Sequence, residues 1–350
     1  MADNSFIEEQ NFSDSCCDIF NTVFPNAISH DVFWHKHYGN PNRLSVPLLV
    51  EKIENDTIGM NGFMAAKFIC DSKELYAAQS CDSAVLPQYR GKSVFSSIIK
   101  RAQNQLKDEG VDFLFGFPNQ NSYPGFIKLG WKHTVDFSRF FLPVNFYALL
   151  RNKIGKKCAR IIHKILNLIF LSKVNRLAKK TYNCTIEHYD RCPFTNEDFK
   201  VINNCDKIMV KRSIEYYVYK LDNNPTKKFK YITARTDGQL CGFLAYHVLK
   251  DEVNIVDWLC VQHDNDKIVM AKLIKHLINV GAKINMPLIN IKSEEIKLLK
   301  SLGFWNSANM ILRRDVMILI IYIINSSFEA RLISPKKWLM RGIDIDTIIS

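Results

Sequence analysis

The chain has 350 residues, of which 47% are hydrophobic and 23% charged, and its formal net charge is +12. This length commonly holds two domains, and the composition excludes intrinsic disorder because enough apolar surface is present for a buried core. Residues 1–24 lack the charged start of a secretory signal, and the longest apolar run, residues 316–324, is about half of a membrane span. We therefore expect a cytoplasmic protein.

The first half of the chain predicts an antiparallel meander followed by alternating helices and strands. Runs of apolar and β-branched residues between polar turns indicate the strands, and apolar residues at helical spacing indicate the helices. The predicted elements are three strands (45–52, 58–69 and 74–86), a helix (93–108), a strand (111–117) and a second helix that stops at Leu129-Gly130-Trp131.

A segment between residues 151 and 180 carries most of the excess positive charge. It contains ten Lys or Arg and no Asp or Glu, so the rest of the chain is close to neutral. Its residues divide between two faces of one helix. The apolar face holds Ile154, Cys158, Ile161, Ile162, Ile165 and Ile169, and the basic face holds Lys153, Lys156, Lys157, Arg160 and Lys164.

Two interpretations of this basic helix are open. A helix that lies on an anionic membrane has this form, and residues 152–170 would then make a peripheral contact at the inner face of the membrane. The alternative is a helix that covers a domain junction and presents its charges to solvent. Nucleic acid is not an expected partner, because no aromatic residues interleave with these charges as a stacking platform requires.

A weaker copy of the first element order is present after residue 200. Residues 216–225 echo the aromatic stretch 33–41, and Leu302-Gly303-Phe304 echoes Leu129-Gly130-Trp131. Such self-similarity predicts two tandem copies of one α+β unit, each a mixed twisted sheet flanked by helices. The expected divisions are residues 1–150 for the first unit, 151–184 for the connecting helix and 185–350 for the second unit.

The loop at residues 85–93, between a predicted strand and a predicted helix, carries the clearest chemical signal. It reads Val85-Leu86-Pro87-Gln88-Tyr89-Arg90-Gly91-Lys92-Ser93. Backbone N–H groups at a helix N terminus, with the positive end of the helix dipole, suit pyrophosphate oxygens. Arg90 and Lys92 add full charges, and Gly91 allows the backbone to approach a ligand.

This loop resembles the cofactor loop of the GNAT acetyltransferase superfamily, whose signature begins with Gln or Arg, has Arg-Gly in the middle and ends in Gly or Ala. Here Ser93 takes the last position, and the preceding Val85-Leu86-Pro87, Asn119 and Leu129-Gly130-Trp131 match further landmarks. The resemblance covers about residues 30–142 and implies binding of acetyl-CoA as co-substrate. It assigns cofactor binding to Val85, Gln88, Tyr89, Arg90, Gly91, Lys92, Ser93, Val94 and Asn119.

Transfer of an acetyl group to an amine needs a base, an oxyanion donor and a proton source for the thiolate. Asp82 is the only acid between Leu75 and Arg90 and is the candidate base. A backbone N–H near Val85 would hold the oxyanion, as the resemblance implies. Relatives often carry a proton-donating Tyr where this chain has Phe126, so Tyr123, one turn earlier, is the candidate donor.

The second copy is not expected to bind the cofactor. Its corresponding loop, residues 262–267, contains Asp264 and Asp266, which would repel pyrophosphate. Its expected work is to complete the acceptor cleft; Asp257 and His263 could touch the acceptor, although a structural role fits each of them better. The ten cysteines show no CxxC pair or zinc spacing, and the histidines show none either, so we expect reduced thiols and no metal site.

The sequence therefore predicts an acetyl-CoA-dependent N-acyltransferase that acts on a small primary amine. By resemblance to tandem GNAT-like proteins of bacterial surface-polysaccharide pathways, to which residues 338–347 contribute, the expected acceptor is a nucleotide- or lipid-linked amino sugar. One alternative is a tandem-GNAT aminoacyl transferase of the peptidoglycan type, although such enzymes need no pyrophosphate loop. The other is a non-catalytic binding module that the basic helix recruits to a membrane.

Overall fold

The computed structural model describes residues 4–54, 56–147, 150, 155–260, 265–307 and 316–349. Its helices are α1 Asn4–Val23, α2 His30–Tyr38, α3 Val94–Asp108, α4 Tyr123–Lys128, α5 Lys156–Ala178, α6 Asn196–Ile202, α7 Ile214–Tyr217, α8 Asp266–Lys275, α9 Glu295–Ser301 and α10 Glu329–Leu332. Its strands are β1 Leu48–Ile53, β2 Asp56–Cys70, β3 Lys73–Val85, β4 Phe113–Gly116, β5 Lys132–Pro143, β6 Thr185–Tyr189, β7 Met209–Val210, β8 Phe229–Thr236, β9 Gln239–Leu249, β10 Glu252–Cys260, β11 Lys283–Asn290, β12 Trp305–Asn306 and β13 Val316–Ile323.

The predicted meander and the helix after it are present in the first half. Strands β1, β2 and β3 pair antiparallel, and α3 then crosses over so that β4 pairs parallel to β3. Helix α3 buries one stripe against the sheet, as its spacing predicts. That stripe consists of Val94, Ile98, Ile99, Ala102 and Leu106.

The second half repeats this order of elements. Strands β8, β9 and β10 form an antiparallel meander, and after α8 the strand β11 pairs parallel to β10. The mixed α+β architecture and the repeated order agree with the predicted fold class. The expected domain boundaries stay a prediction, because the two halves share one sheet.

Within the described residues that sheet has 13 strands, and strand β13 joins its two halves. The strand order is β1-β2-β3-β4-β13-β5-β11-β10-β9-β8-β6, with β12 on β5 and β7 on β2. Strand β13, from the end of the chain, lies antiparallel between β4 and β5 of the first half. In return, β5 continues past its pairing with β13 and pairs with β11 of the second half. Each half therefore contributes a strand that pairs with strands of the other half.

The C-terminal segment, residues 335–349, packs on the face of the sheet opposite α3. Trp338, Met340 and Ile343 are buried in a core cluster that also includes Phe68 and Phe113 from the first half. Among the described residues, no helix combines the length and apolar character needed to cross a bilayer.

Candidate active site

Strands β3 and β4 diverge after a short stretch of parallel pairing. Their register runs from Ala77 opposite Phe113 to Ser80 opposite Gly116, where β4 ends. On its other edge, β3 contains a β-bulge against β2 between Cys81 and Ala84. A bulge bends the strand and increases its twist. The remainder of β3, to Val85, is thereby directed away from β4 and leaves a wedge-shaped opening between the two strands.

The bulge is held by a buried side chain that the sequence analysis missed. Asn61, in the middle of β2, accepts hydrogen bonds from the hydroxyls of both Ser80 and Ser83 through its Oδ1 atom. Its amide nitrogen donates to the carbonyl of Gly62 at 2.8 Å. The available signal in the sequence was a single asparagine within the apolar and glycine-containing run of residues 58–66, because a polar group in such a run is expected to be buried and paired.

A cavity of 450 Å³ occupies the side of this opening next to α3 and α4. Three of the predicted cofactor residues, Val85, Arg90 and Asn119, line it. The other lining residues are Val23, Phe24, Ser83, Phe95, Asn121, Ser122 and Gly125. The structure therefore brings the end of β3, the loop after it and the start of α4 together around one space.

The loop between β3 and α3 presents the helix N terminus without a side-chain cap. Gly91 has φ of 77° and Ser93, the N-cap residue, has φ of 63° with no capping hydrogen bond. The first-turn N–H groups of α3, beginning at Val94, are thus not satisfied by a cap and can meet an anion. A Cβ added to Gly91 would meet no protein atom, so its left-handed φ is the constraint that requires glycine.

The side chains of this loop do not all face the cavity. Arg90 donates from Nε to the carbonyl of Val85 at 3.2 Å, and the Lys92 ammonium lies over the Tyr89 ring. Gln88 and Tyr89 instead line a separate depression, which also contains Asp14, Asp18 and Asp56. An acidic surface does not suit a phosphate, so a cofactor contact from Gln88 and Tyr89 would come from the backbone.

Asp82 lies in a buried ion-pair cluster. With φ of 50° at the bulge, its carboxylate accepts from Lys36 Nζ at 2.8 Å and pairs with His37 Nε2 at 2.9 Å. Lys36, which is 1% exposed, also pairs with Asp346 at 3.2 Å, and Asp346 accepts from Gln79 on β3 at 2.9 Å. A Cβ at Gly62 would overlap His37, which explains the glycine inside β2.

The electrostatics of this cluster fix its charges. Burial favours the neutral acid, but Lys36 and His37 together hold the pKa of Asp82 well below its usual range. Burial likewise favours the neutral amine, yet Asp82 and Asp346 raise the pKa of Lys36. Burial lowers the pKa of His37. Asp82 is therefore a stable carboxylate and a weak proton acceptor, a state that does not favour the predicted general base.

Tyr123 belongs to a different hydrogen-bonded chain. Its hydroxyl lies 3.1 Å from His133 Nδ1, and His133 Nε2 lies 2.9 Å from Asp136 on β5. Strand β13 separates β5 from β4, so β5 lies roughly 10 Å from β4, on the side away from β3. The Tyr123 hydroxyl is thus paired with a residue of β5, two strands from β4, and this contact gives no support to its predicted role as thiolate proton donor.

A second cavity of 310 Å³ adjoins the first through Asn119, which lines both. Phe117 and Phe137 supply aromatic surface, and Ser138 and Arg139 supply polar groups. The second half contributes to its wall. The remaining lining residues are Pro118, Pro287, Leu288, Val316 and Met317.

The corresponding opening of the second half is filled by the chain itself. Strands β10 and β11 pair only from Glu252–Asn254 to Lys283–Asn285. Gly342, in the C-terminal segment, lies against Val256 of β10 and Pro287 of β11, where a Cβ would be within 3.1 Å of both residues. Asp257 is buried and accepts from Arg212 and the Tyr217 hydroxyl, which is the structural role expected for it. His263 and Asp264 lie outside the described residues.

Comparisons with known proteins agree with this fold. Residues 8–134 match the family profile described as "Acetyltransferase (GNAT) domain". The chain therefore carries a GNAT-type acetyltransferase domain, as the loop at residues 85–93 predicted. No curated protein matches the sequence.

Solved structures extend the fold likeness over both halves. A protein from Enterococcus faecalis described as a "Probable N-Acyltransferase" superposes with a TM-score of 0.63 at 13% identity, over 89% of this chain and 69% of its own. A "GCN5-related N-acetyltransferase" from Anabaena variabilis gives 0.64 at 9% identity, over 89% and 70%. One from Kribbella flavida gives 0.60 at 10%, over 91% and 70%. At these identities the likeness establishes the fold alone.

We expect Asp82→Asn to lower the free energy of unfolding by about 3 kcal/mol at pH 7, since it removes one partner of a buried ion pair. The lowered pKa means that the contribution of Asp82 is present above its unfolded pKa, about 3.9, and is lost as the pH falls through the folded value. The stability difference should therefore narrow only below about pH 4. Urea denaturation across pH measures it.

The matched control is Asp190→Asn, which removes a carboxylate whose side chain is 84% exposed. It should change stability by less than about 0.5 kcal/mol. An Asp82→Asn protein as stable as the parent at pH 7 would contradict the structural role of this cluster.

Proposed function

We propose that the protein is an acetyl-CoA-dependent N-acyltransferase that acetylates a primary amine. The observation that carries the proposal is the opening between β3 and β4, which lies beside the uncapped N terminus of α3 and whose cavity shares the lining residue Asn119 with a second, partly aromatic cavity. An elongated ligand with a phosphorylated end and a reactive end fits this arrangement.

In this proposal the pyrophosphate binds the N–H groups at the start of α3, beside Arg90 and Lys92. The pantetheine arm runs along the edge of β3 that β4 leaves unpaired after Ser80. The thioester carbonyl then lies near the bulge, where a backbone N–H at Val85 or a neighbour stabilises the oxyanion. The amine nitrogen attacks this carbonyl, the C–S bond breaks, an amide forms, and the thiolate takes up a proton.

The proton transfers involve two residues whose surroundings constrain them. Asp82 stays the candidate base, although its ion pairs favour a role in holding the bulge that shapes the oxyanion site. Tyr123 stays the candidate donor, yet a thiol of pKa about 8.5 leaves readily without a dedicated acid. The two roles of Asp82 predict different pH dependences, so they can be separated.

Asp82→Asn should lower kcat about 10²- to 10⁴-fold with little change in acetyl-CoA affinity. If Asp82 is the base, the acidic limb of the pH–rate profile disappears. If it positions the bulge, the limb is retained and the rate falls uniformly. Asp346→Asn leaves Asp82 in place and is the matched variant, and it should lower kcat only through positioning. Unchanged kcat in Asp82→Asn would remove Asp82 from both roles.

We propose the second cavity as the acceptor site. Phe117, which is only partly buried, offers a flat apolar surface on which a sugar ring can pack, and the exposed Arg139 places a guanidinium at the rim. Arginine binds phosphate strongly through charge-assisted hydrogen bonds. These groups favour the nucleotide- or lipid-linked amino sugar expected from the sequence, because both forms carry phosphate next to the sugar.

The alternatives receive less support from the geometry. An aminoacyl transferase of the peptidoglycan type would have no need of an uncapped helix N terminus flanked by Arg90 and Lys92. A non-catalytic module would have no need of two neighbouring cavities. The C-terminal filling of the second opening supports one cofactor site per chain.

Arg90→Ala should weaken acetyl-CoA binding by about 1.5 to 3 kcal/mol, the range for a hydrogen bond to a charged group. Gly91→Val should weaken it at least as much, because a branched residue does not tolerate the φ of 77° that shapes the loop. Isothermal titration calorimetry measures both affinities, and the parent should bind one acetyl-CoA per chain.

Lys107→Ala, at the other end of α3, is the charge control and should bind acetyl-CoA like the parent. A stoichiometry of two, or parental affinity in Arg90→Ala, would show that the cofactor belongs elsewhere. Titration of longer acyl-CoAs in the same series determines the acyl length.

Arg139→Gln should raise the KM for a phosphate-linked amino sugar about 10- to 100-fold, as expected for loss of a charge-assisted hydrogen bond. Its acetyl-CoA affinity should not change. With the corresponding free amino sugar, the variant and the parent should have equal KM. An equal KM with both acceptors in both proteins would exclude Arg139 from acceptor recognition.

A further inference from the structure

Helix α5 presents a continuous apolar stripe to solvent. Leu168 is 75% exposed, Ile161 68%, Ile169 58% and Ile165 57%. At about 100° per residue these side chains, with Ile162, occupy a sector roughly 120° wide. A stripe of large aliphatic residues at such exposure is unusual for a surface helix of a globular protein, whose apolar face normally meets the core.

The opposite face of α5 packs against the core of the protein. Ala159, Leu171 and Val174 are buried, and Leu171 and Val174 join the core cluster that contains residues of α8. Phe170 on this side contacts Phe146 and Trp305. The helix therefore covers the junction between the two halves with the face that holds Leu171 and Val174. The exposed isoleucines do not take part in that contact.

Basic side chains flank the exposed stripe. Lys157, Arg160 and Lys164 lie along one border at helical spacing, Lys173 lies on the other, and Arg176 follows in line with the stripe beyond its last apolar residue. Residues 151–180 contain no acidic side chain that could neutralise these charges. An apolar strip bordered by cations matches the boundary between the acyl chains and the anionic headgroups of a lipid surface.

We propose that α5 lies flat on an anionic membrane surface, with Ile161, Ile165 and Leu168 inserted among the lipid headgroups. The helix has 23 residues, about 34 Å at 1.5 Å per residue, which is long enough for a stable interfacial contact. A second copy of the chain is the less favoured occupant, because an isologous contact would bring the same uncompensated cations together. This inference rests on α5 alone and does not depend on the proposed acetyl transfer.

The test is co-sedimentation with vesicles of phosphatidylglycerol and phosphatidylcholine, with pure phosphatidylcholine vesicles alongside. The parent should bind the anionic vesicles at physiological salt, bind the neutral ones weakly, and lose affinity as salt rises. Replacement of Lys157, Arg160, Lys164 and Lys173 by Gln should weaken binding several-hundred-fold, since each charge contributes a factor of about five.

A charge-matched control has Lys200, Lys230, Lys292 and Lys297 replaced by Gln, on exposed sites away from α5. It changes the net charge equally and should bind the vesicles like the parent. The combined variant Ile161→Ser, Ile165→Ser and Leu168→Ser should weaken binding about tenfold per residue while the thermal midpoint stays within a few degrees, because these side chains are exposed.

Failure of the parent protein to bind the anionic vesicles would overturn the proposal. So would a charge-matched control that loses as much vesicle affinity as the variant with four Gln replacements in α5. Sedimentation velocity distinguishes the other occupant. A dimer of the parent that the three Ser replacements dissociate, without vesicle binding, would assign the stripe to a second copy of the chain.

Discussion

The pairing of Lys36 with Asp82 at the β3 bulge is the interaction on which the candidate site depends. Without the bulge, β3 would continue beside β4, and the opening for an elongated ligand would close. Two charges are removed from water to form this pair, and buried ion pairs often add little net stability. The effect of the pair here is on the shape of strand β3. Asp82 adopts a left-handed φ, which is unfavourable for this residue, and its contacts with Lys36 and His37 compensate for the strain.

The same cluster makes the first half dependent on the end of the chain. Asp346 supplies the second carboxylate to Lys36, and the Tyr219 hydroxyl donates to the carbonyl of Lys36. Strand β13 completes the sheet between β4 and β5. Taken alone, the region that matches the acetyltransferase domain therefore lacks the central strand β13 and one of the two carboxylates that pair with the buried Lys36. The two halves therefore share one sheet and one buried charge cluster.

Local patterns in the sequence were sufficient for the elements of both halves. The strands at 58–69 and 74–86, the helix at 93–108 and the second meander lie within a few residues of their predicted positions, because each has a strong period of its own. The exchange of β5 and β13 could not be predicted in this way. Strand pairing over 180 residues leaves no local period, and residues 316–323 indicate only an apolar run.

For the candidate site, too, the sequence predicted the local features but not the contacts between distant residues. The backbone signal of the loop at Arg90 and Gly91 comes from a strand, a glycine and a helix start, all of which are local. The environment of Asp82 depends on Lys36, His37 and Asp346, which are distant in sequence and converge only in the folded chain. A lone carboxylate before the loop at residues 85–93 therefore looks like a base in the sequence, because the partners that favour a structural role for it are not adjacent in the chain.

The two halves share one arrangement of strands around an opening but differ in what lies in that opening. In both, a parallel pair of strands separates after three or four residues, and an acid beside the bulge pairs with a cation: Asp82 with Lys36, and Asp257 with Arg212. The two openings differ in their occupants. Residues 341–344 enter the second opening, where Arg341 stacks on Trp258 and Asp344 binds Arg212. The end of the chain thus fills the second opening, whereas the corresponding opening of the first half is left free as a cavity.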